Sequence, residues 1–149
     1  MPFPTVEWIS KADGRRAQDQ IPDRAAEYIP ATNMLLINAD FRIFDDMIHY
    51  FTDVYRTVPR AGEVVKSVVH EWFEQQLVEA VMAAHAFRRS PEWDDEDLKV
   101  LWSAEALTAV VCPRYHVFYS IKRRLGASLG RGLQDENTEA PVVVHEAAR

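Results

Sequence analysis

RAGEVVKSVVHEWFEQQLVEAVMAAHAFRR, residues Arg60 to Arg89, is the stretch on which the fold turns. It contains no proline and a single glycine, Gly62, near its start. Val65, Val68, Val69, Trp72, Phe73, Leu77, Val81 and Ala84 recur at spacings of three and four, the period that gathers side chains on one side of an α-helix. Val64, Val78 and Met82 flank that stripe, so the apolar arc is wider than one neighbouring helix covers. The stretch predicts a long helix committed to helix-on-helix packing. A second copy of the chain, related by a twofold axis, is the simplest additional neighbour, and a homodimer or a protein partner is expected.

Immediately upstream, Phe44, Met47, Ile48, Phe51, Val54, Tyr55 and Val58 share one face of a helix that Pro59 interrupts. Asp40 is placed to cap its first turn, and Asp45 and Asp46 sit toward its positive end. The first forty residues differ, with Pro2, Pro4, Pro22 and Pro30 dividing them into short segments. Thr5 to Ile9 reads as an edge strand, and Ala26 to Ile29 with Met34 to Asn38 as a hairpin around Pro30-Ala31-Thr32-Asn33. Lys11 to Asp23, between them, is polar and loop-like.

Downstream, a short helix ending at Trp102 starts either at Ser90-Pro91-Glu92 or at the acidic run Asp94 to Asp97. Ser103 with Glu105 restarts a helix carrying Leu107, Val110, Val111, Phe118, Ile121 and Leu125 on one face, and Pro113 inside it should kink or divide it. Gly126, Gly130 and Gly132 follow, then a polar, acidic stretch from Gln134 to Arg149 with no helical pattern. The expected fold is α+β, mainly α: a β-hairpin or small sheet over residues 1–40, then about four helices packed as a bundle over 41–129. Residues 1–132 form a single domain in this reading, and 133–149 a flexible acidic tail.

A chain of 149 residues with 48% hydrophobic content suits one domain with a real core. Its formal charge of -6 argues against nucleic acid as a direct ligand, because phosphate-backbone affinity comes from clustered Lys and Arg. One cysteine, Cys112, leaves no disulfide framework and no multi-cysteine zinc site, which fits a reducing cytoplasmic home. Met1 to Thr5 has neither a basic nor an apolar leader region, and no apolar run reaches the roughly 18 residues of a membrane span.

Candidate chemistry is sparse. His70 and Glu74, four apart, project from one side of the long helix, where they can hold a metal or trade a proton, or simply form an exposed i,i+4 pair. The string His70-Glu71-Trp72-Phe73-Glu74 opens like a zinc-protease helix but has glutamate where the second histidine is required. His49, His85, His116 and His145 lack ligand spacing. Cys112 stands near Arg114 and His116, while Val110 and Val111 point to its burial. Arg88-Arg89 and Lys122-Arg123-Arg124 are short basic clusters, the second suited to a helix C-terminus. Asp94 to Asp97 lacks the pattern of a calcium loop, and neither a phosphate loop nor a Gly-x-Ser-x-Gly elbow occurs. Trp72, Phe73, Trp93, Trp102, Tyr115, Phe118 and Tyr119 crowd the helical part, and core packing explains most of them. No catalytic, cofactor-binding or metal-binding residue is assigned, and no cofactor is called for. Two alternatives to an association module stand: a small metal-dependent hydrolase using His70, Glu74 and His116, and a regulatory nucleic-acid-associated domain using Arg88, Arg89, Lys122, Arg123 and Arg124.

Three strings carry a family resemblance: Asp23-Arg24-Ala25-Ala26-Glu27-Tyr28, Asn33-Met34-Leu35-Leu36-Ile37-Asn38-Ala39-Asp40-Phe41-Arg42-Ile43-Phe44, and Trp102-Ser103-Ala104-Glu105-Ala106-Leu107-Thr108-Ala109. Over about residues 5–129 the chain resembles the C-terminal region of large bacterial ATP-binding proteins of the GHKL class, which share a nucleotide fold with gyrase, histidine kinases and heat-shock chaperones. The strings are structural in character. In that class the ATPase lies in an N-terminal domain with an Asn-bearing helix and Gly-rich lid segments, neither of which this chain has. The resemblance implies an accessory, non-catalytic domain for self-association or partner coupling, and it carries over no functional residue.

Overall fold

The computed structural model describes residues 2–139, with side chains through Leu125. A three-stranded sheet at the N-terminus precedes four helices. The elements are β1 (Thr5–Ile9), β2 (Ala26–Ile29), β3 (Met34–Asn38), α1 (Arg42–Val54), α2 (Ala61–Phe87), α3 (Asp95–Leu101) and α4 (Ala104–Glu139). The chain forms two compact units, one ending at Pro113 and the other beginning at Arg114.

Strand β3 is the centre of the sheet, with Leu35, Leu36, Ile37 and Asn38 all buried. A strand covered on both faces reads as a continuous apolar run rather than an alternation, which is why Met34-Leu35-Leu36-Ile37 is apolar throughout. The β2–β3 hairpin forms as expected, antiparallel, with Tyr28 opposite Leu35. β1 is an edge strand, and it pairs parallel to β3, with Trp8 opposite Ile37. Register assigns Trp8, Tyr28, Leu35 and Ile37 to one face and Ile9, Met34 and Leu36 to the other. The second face closes over a small cluster of Ile9, Leu36 and Ile21, with Ala104 against it.

The Lys11–Asp23 loop is tied down by polar contacts. Asp40 is not the cap of α1; the N-cap is Phe41, with no side-chain cap bond. The Asp40 carboxylate instead accepts from Lys11 N at 2.9 Å and from the buried Arg16 Nε at 2.9 Å. Arg16 also donates to the Gln20 carbonyl at 2.8 Å, and buried Asn38 donates to the carbonyls of Ile21 and Arg24 at 3.2 and 3.0 Å. These bonds hold Ile21 and Asp23 at φ of 47° and 52°, a left-handed geometry that a β-branched residue such as Ile21 adopts only when its surroundings over-determine it.

Among the helices, Asp94 rather than Ser90 starts α3, through a reciprocal capping box with Asp97 at 2.8 and 3.1 Å. Ser103 Oγ accepts from Ala106 N at 3.1 Å and so caps α4. Pro113 lies inside α4, where the two units part. α4 extends past Leu125 to Glu139, because a glycine in a helix interior costs only about 1 kcal/mol and weakens the helix without forbidding it. Residues 140–149 of the expected tail lie outside the described residues.

The main core joins the first sheet face to α1 and α2. Phe44 meets Trp8 at 5.5 Å, Phe41 at 5.5 Å and Phe73 at 4.9 Å between ring centroids. On α2 the buried residues Val69, Phe73, Leu77, Val81 and His85 are each four apart. Four residues turn 400°, so each step drifts 40° and the buried stripe winds by about 160° around the helix from Val69 to His85.

Truncating Phe73 to alanine should cost about 3–5 kcal/mol of unfolding free energy, because it empties the fully buried centre of this aromatic cluster. Gly62→Ala should go the other way by about 0.5–1 kcal/mol, since its added Cβ would meet Thr52 Cγ2 at an ordinary 3.5 Å within a helix. Urea denaturation of both variants measures the two effects.

Candidate functional site

The winding of α2 leaves the near half of the helix uncovered on one side, and α1 completes a groove there. Met47 and Phe51 of α1 and Tyr55 at its C-cap line one wall at i, i+4 and i+8, and Ala61, Val64, Val65, Val68 and Trp72 of α2 line the other. Val58 and Pro59, in the short turn between the helices, close one end, while the buried Val69 and Phe73 form the floor. The groove encloses about 470 Å³. Part of the wall is open to solvent, with Val64 60% exposed, Val68 56% and Trp72 40%, while Met47, Phe51, Ala61 and Val65 are half-buried. Scattered apolar residues on a surface are ordinary, whereas a contiguous concave set of this kind is less so. Apart from the Tyr55 phenol, the lining side chains are apolar, so the groove presents a surface suited to contact with another apolar element.

Charge lies at the two ends of the open face of α2. Arg60, at the N-cap with a left-handed φ of 62°, holds Glu63 Oε2 through Nε and Nη2 at 2.9 and 2.8 Å. Farther along, Gln75 Nε2 donates to Glu79 Oε1 at 3.0 Å.

The histidines singled out in the sequence are placed elsewhere. His70 and Glu74 are not an exposed pair: the Trp8 indole stacks on the His70 ring at 3.9 Å with 6° between planes, and its Nε1 donates to Glu74 Oε2 at 2.7 Å. Both side chains thus serve to clamp β1 onto α2. His116 belongs to the unit beginning at Arg114. No group of three His, Cys, Asp or Glu among the described residues is arranged to hold a metal ion. His49 Nδ1 contacts the Asp45 carbonyl at 2.8 Å, and His145 lies outside the described residues. Cys112 is exposed rather than buried, because it sits off the face of α4 on which Val111 is covered. Arg88 and Arg89 are exposed just past the end of α2, and Lys122 to Arg124 belong to α4 beyond Pro113. No helix among the described residues is long and apolar enough to cross a membrane.

His85 is buried beside Tyr28 and Trp102, with ring centroids at 5.6 and 4.7 Å. The Tyr28 hydroxyl donates to Asn33 Oδ1 at 2.8 Å, so the 2.7 Å contact with His85 Nε2 requires that nitrogen to carry the proton and donate. Outside this cluster a second, polar concavity lies among Arg24, Glu27, Lys99 and Glu105, with Arg24 paired to Glu105 at 3.3 Å.

The sequence anticipated the excess apolar arc of α2 but not the part that α1 plays in the groove. The signal was present in Met47, Phe51 and Tyr55, which recur at i,i+4 on the apolar face of that helix. No family model, no curated protein and no solved structure matches this chain.

Burial pushes both His70 and His85 below their ordinary value of 6.5, reinforced by Lys66 for the first and Arg88 for the second, and opposed at His70 by Asp45 and Glu74. With folded-state values below unfolded ones, the unfolded chain takes up protons first as pH falls. Stability is therefore full above about pH 7 and declines below the unfolded value near 6.5. Thermal melts between about pH 7.5 and 5.5 should show a falling Tm, with a smaller fall in His85→Gln.

Proposed function

We propose that this chain is a non-catalytic helical docking module whose α1–α2 groove receives an apolar element of a second copy or of a protein partner. The observation that carries the reading is the groove itself, with Val64, Val68 and Trp72 in contiguous exposure over a buried floor. Sequestering such a surface is the main favourable term in protein association. The hydrolase alternative is less well supported, because His70 and Glu74 are engaged by Trp8. The nucleic-acid alternative is likewise weak, since the concave surface is apolar and the chain carries a formal charge of -6.

The GHKL resemblance extends this proposal to an accessory region of a larger ATPase, in which docking couples copies or partners. Its support is the behaviour of the three strings, which meet in the fold. Ala25 N donates to Thr108 Oγ1 at 3.0 Å, Asn38 N donates to the Ala25 carbonyl at 2.9 Å, and Arg24 pairs with Glu105. Strings of structural character converge in this way.

Light scattering across a concentration range should give a mass that rises with concentration. Trp72→Glu and Val68→Glu should weaken association by about tenfold or more, because a carboxylate left unpaired in an apolar interface costs at least ~1–3 kcal/mol. Circular dichroism confirms that both variants fold. Association indifferent to both substitutions would remove the groove as the docking surface.

A further inference from the structure

We infer that the occupant of the groove is a second copy of this chain, joined through an antiparallel, twofold pairing of α2 with α2; the inference rests on the docking reading and specifies its partner. Along the open face of α2, Ala61, Val65, Val68, Trp72, Gln75 and Glu79 follow one another at intervals of four, three, four, three and four. Successive pairs of those intervals sum to seven, the heptad spacing that suits the seam of a two-helix coiled pair. The seam is apolar through Trp72 and polar beyond it, with Arg60 at one end and Glu79 at the other.

This order of charge selects the direction of pairing. A parallel pair would set Glu79 against Glu79 and Arg60 against Arg60. An antiparallel pair in heptad register sets Val68 of each copy against Trp72 of the other, and Ala61, with Arg60 beside it, against Glu79. Each copy then supplies the indole that the other's exposed valines lack, and both ends of the interface close with opposite charges. The contact is isologous and self-limiting, so it ends at two copies. Arg60 and Glu79 are available for it: the Arg60 bond to Glu63 is between exposed side chains and is weakly held, and Glu79 is exposed.

The test is sedimentation equilibrium of the full chain as wild type, Arg60→Glu, Glu79→Arg, the double variant, Trp72→Glu, and an equimolar mixture of the two charge variants. Wild type is expected to dimerise. Each single charge variant should dimerise about tenfold more weakly, because like charges meet at both ends. The double variant, and the mixture as a heterodimer, should recover wild-type affinity, since both place opposite charges at both ends. Loss in each single variant with recovery in the double variant arises only if the two positions face each other across the interface, because in a parallel pair each position meets itself and all four homodimers carry like charges at both ends. A dimer lost in Trp72→Glu but indifferent to charge exchange would overturn the antiparallel pairing and leave groove docking standing. A wild-type monomer at high concentration would overturn the second copy as occupant, leaving the groove to a different protein. A dimer insensitive to Trp72→Glu would overturn both.

Discussion

An α-helix turns 100° per residue, so a contact series spaced by four cannot stay on one side of it. α2 is built on such a series, from Val69 through Phe73, Leu77 and Val81 to His85. At its far end the helix presents His85 to Tyr28 and Trp102, and nearer its start Phe73 to Phe44 of α1 and His70 to Trp8 of β1. The same drift that lets one helix serve two parts of the core turns Ala61, Val64, Val68 and Trp72 away from it. Open apolar surface is thus a geometric consequence of how α2 is buried.

The sheet is small, and a three-stranded sheet of four- and five-residue strands needs a covered face to be stable. α1 and α2 supply it on one side. On the other, the polar network of Arg16, Asp40 and Asn38 folds the Lys11–Asp23 loop so that Ile21 covers Ile9 and Leu36. Trp8 links the layers, as its ring packs on Phe44 and His70 while its N–H is taken by Glu74. His70 and Glu74, which resemble a catalytic pair in the linear sequence, act here as fasteners of Trp8, one through ring stacking and the other through a hydrogen bond.

With His70 and Glu74 committed to Trp8, and Asp94 and Asp97 to each other, the described surface offers shape and apolarity more than chemistry. A docking role draws on those two properties. The three strings that carry the GHKL resemblance meet at the junction of β2, β3 and the start of α4.

The bounds of β1, β2 and β3, and of α2 to within two residues at each end, were legible in the sequence because they depend on period, propensity and the placement of proline. The start of α1 was less so, since Asp40 had two uses open to it, and a distant arginine and a loop amide took its oxygens. The parallel partner of β1 and the Trp8–Glu74 bond, across 66 residues, have no local signature at all. By itself the sequence determined the order and type of the elements, though not that α4 runs on to Glu139, and that α2 carries more apolar surface than one neighbour needs, because periodicity is a property of the chain alone. Only the tertiary structure decided which part of that surface is covered and that α1 makes the rest into a groove, because coverage depends on where the other elements come to lie.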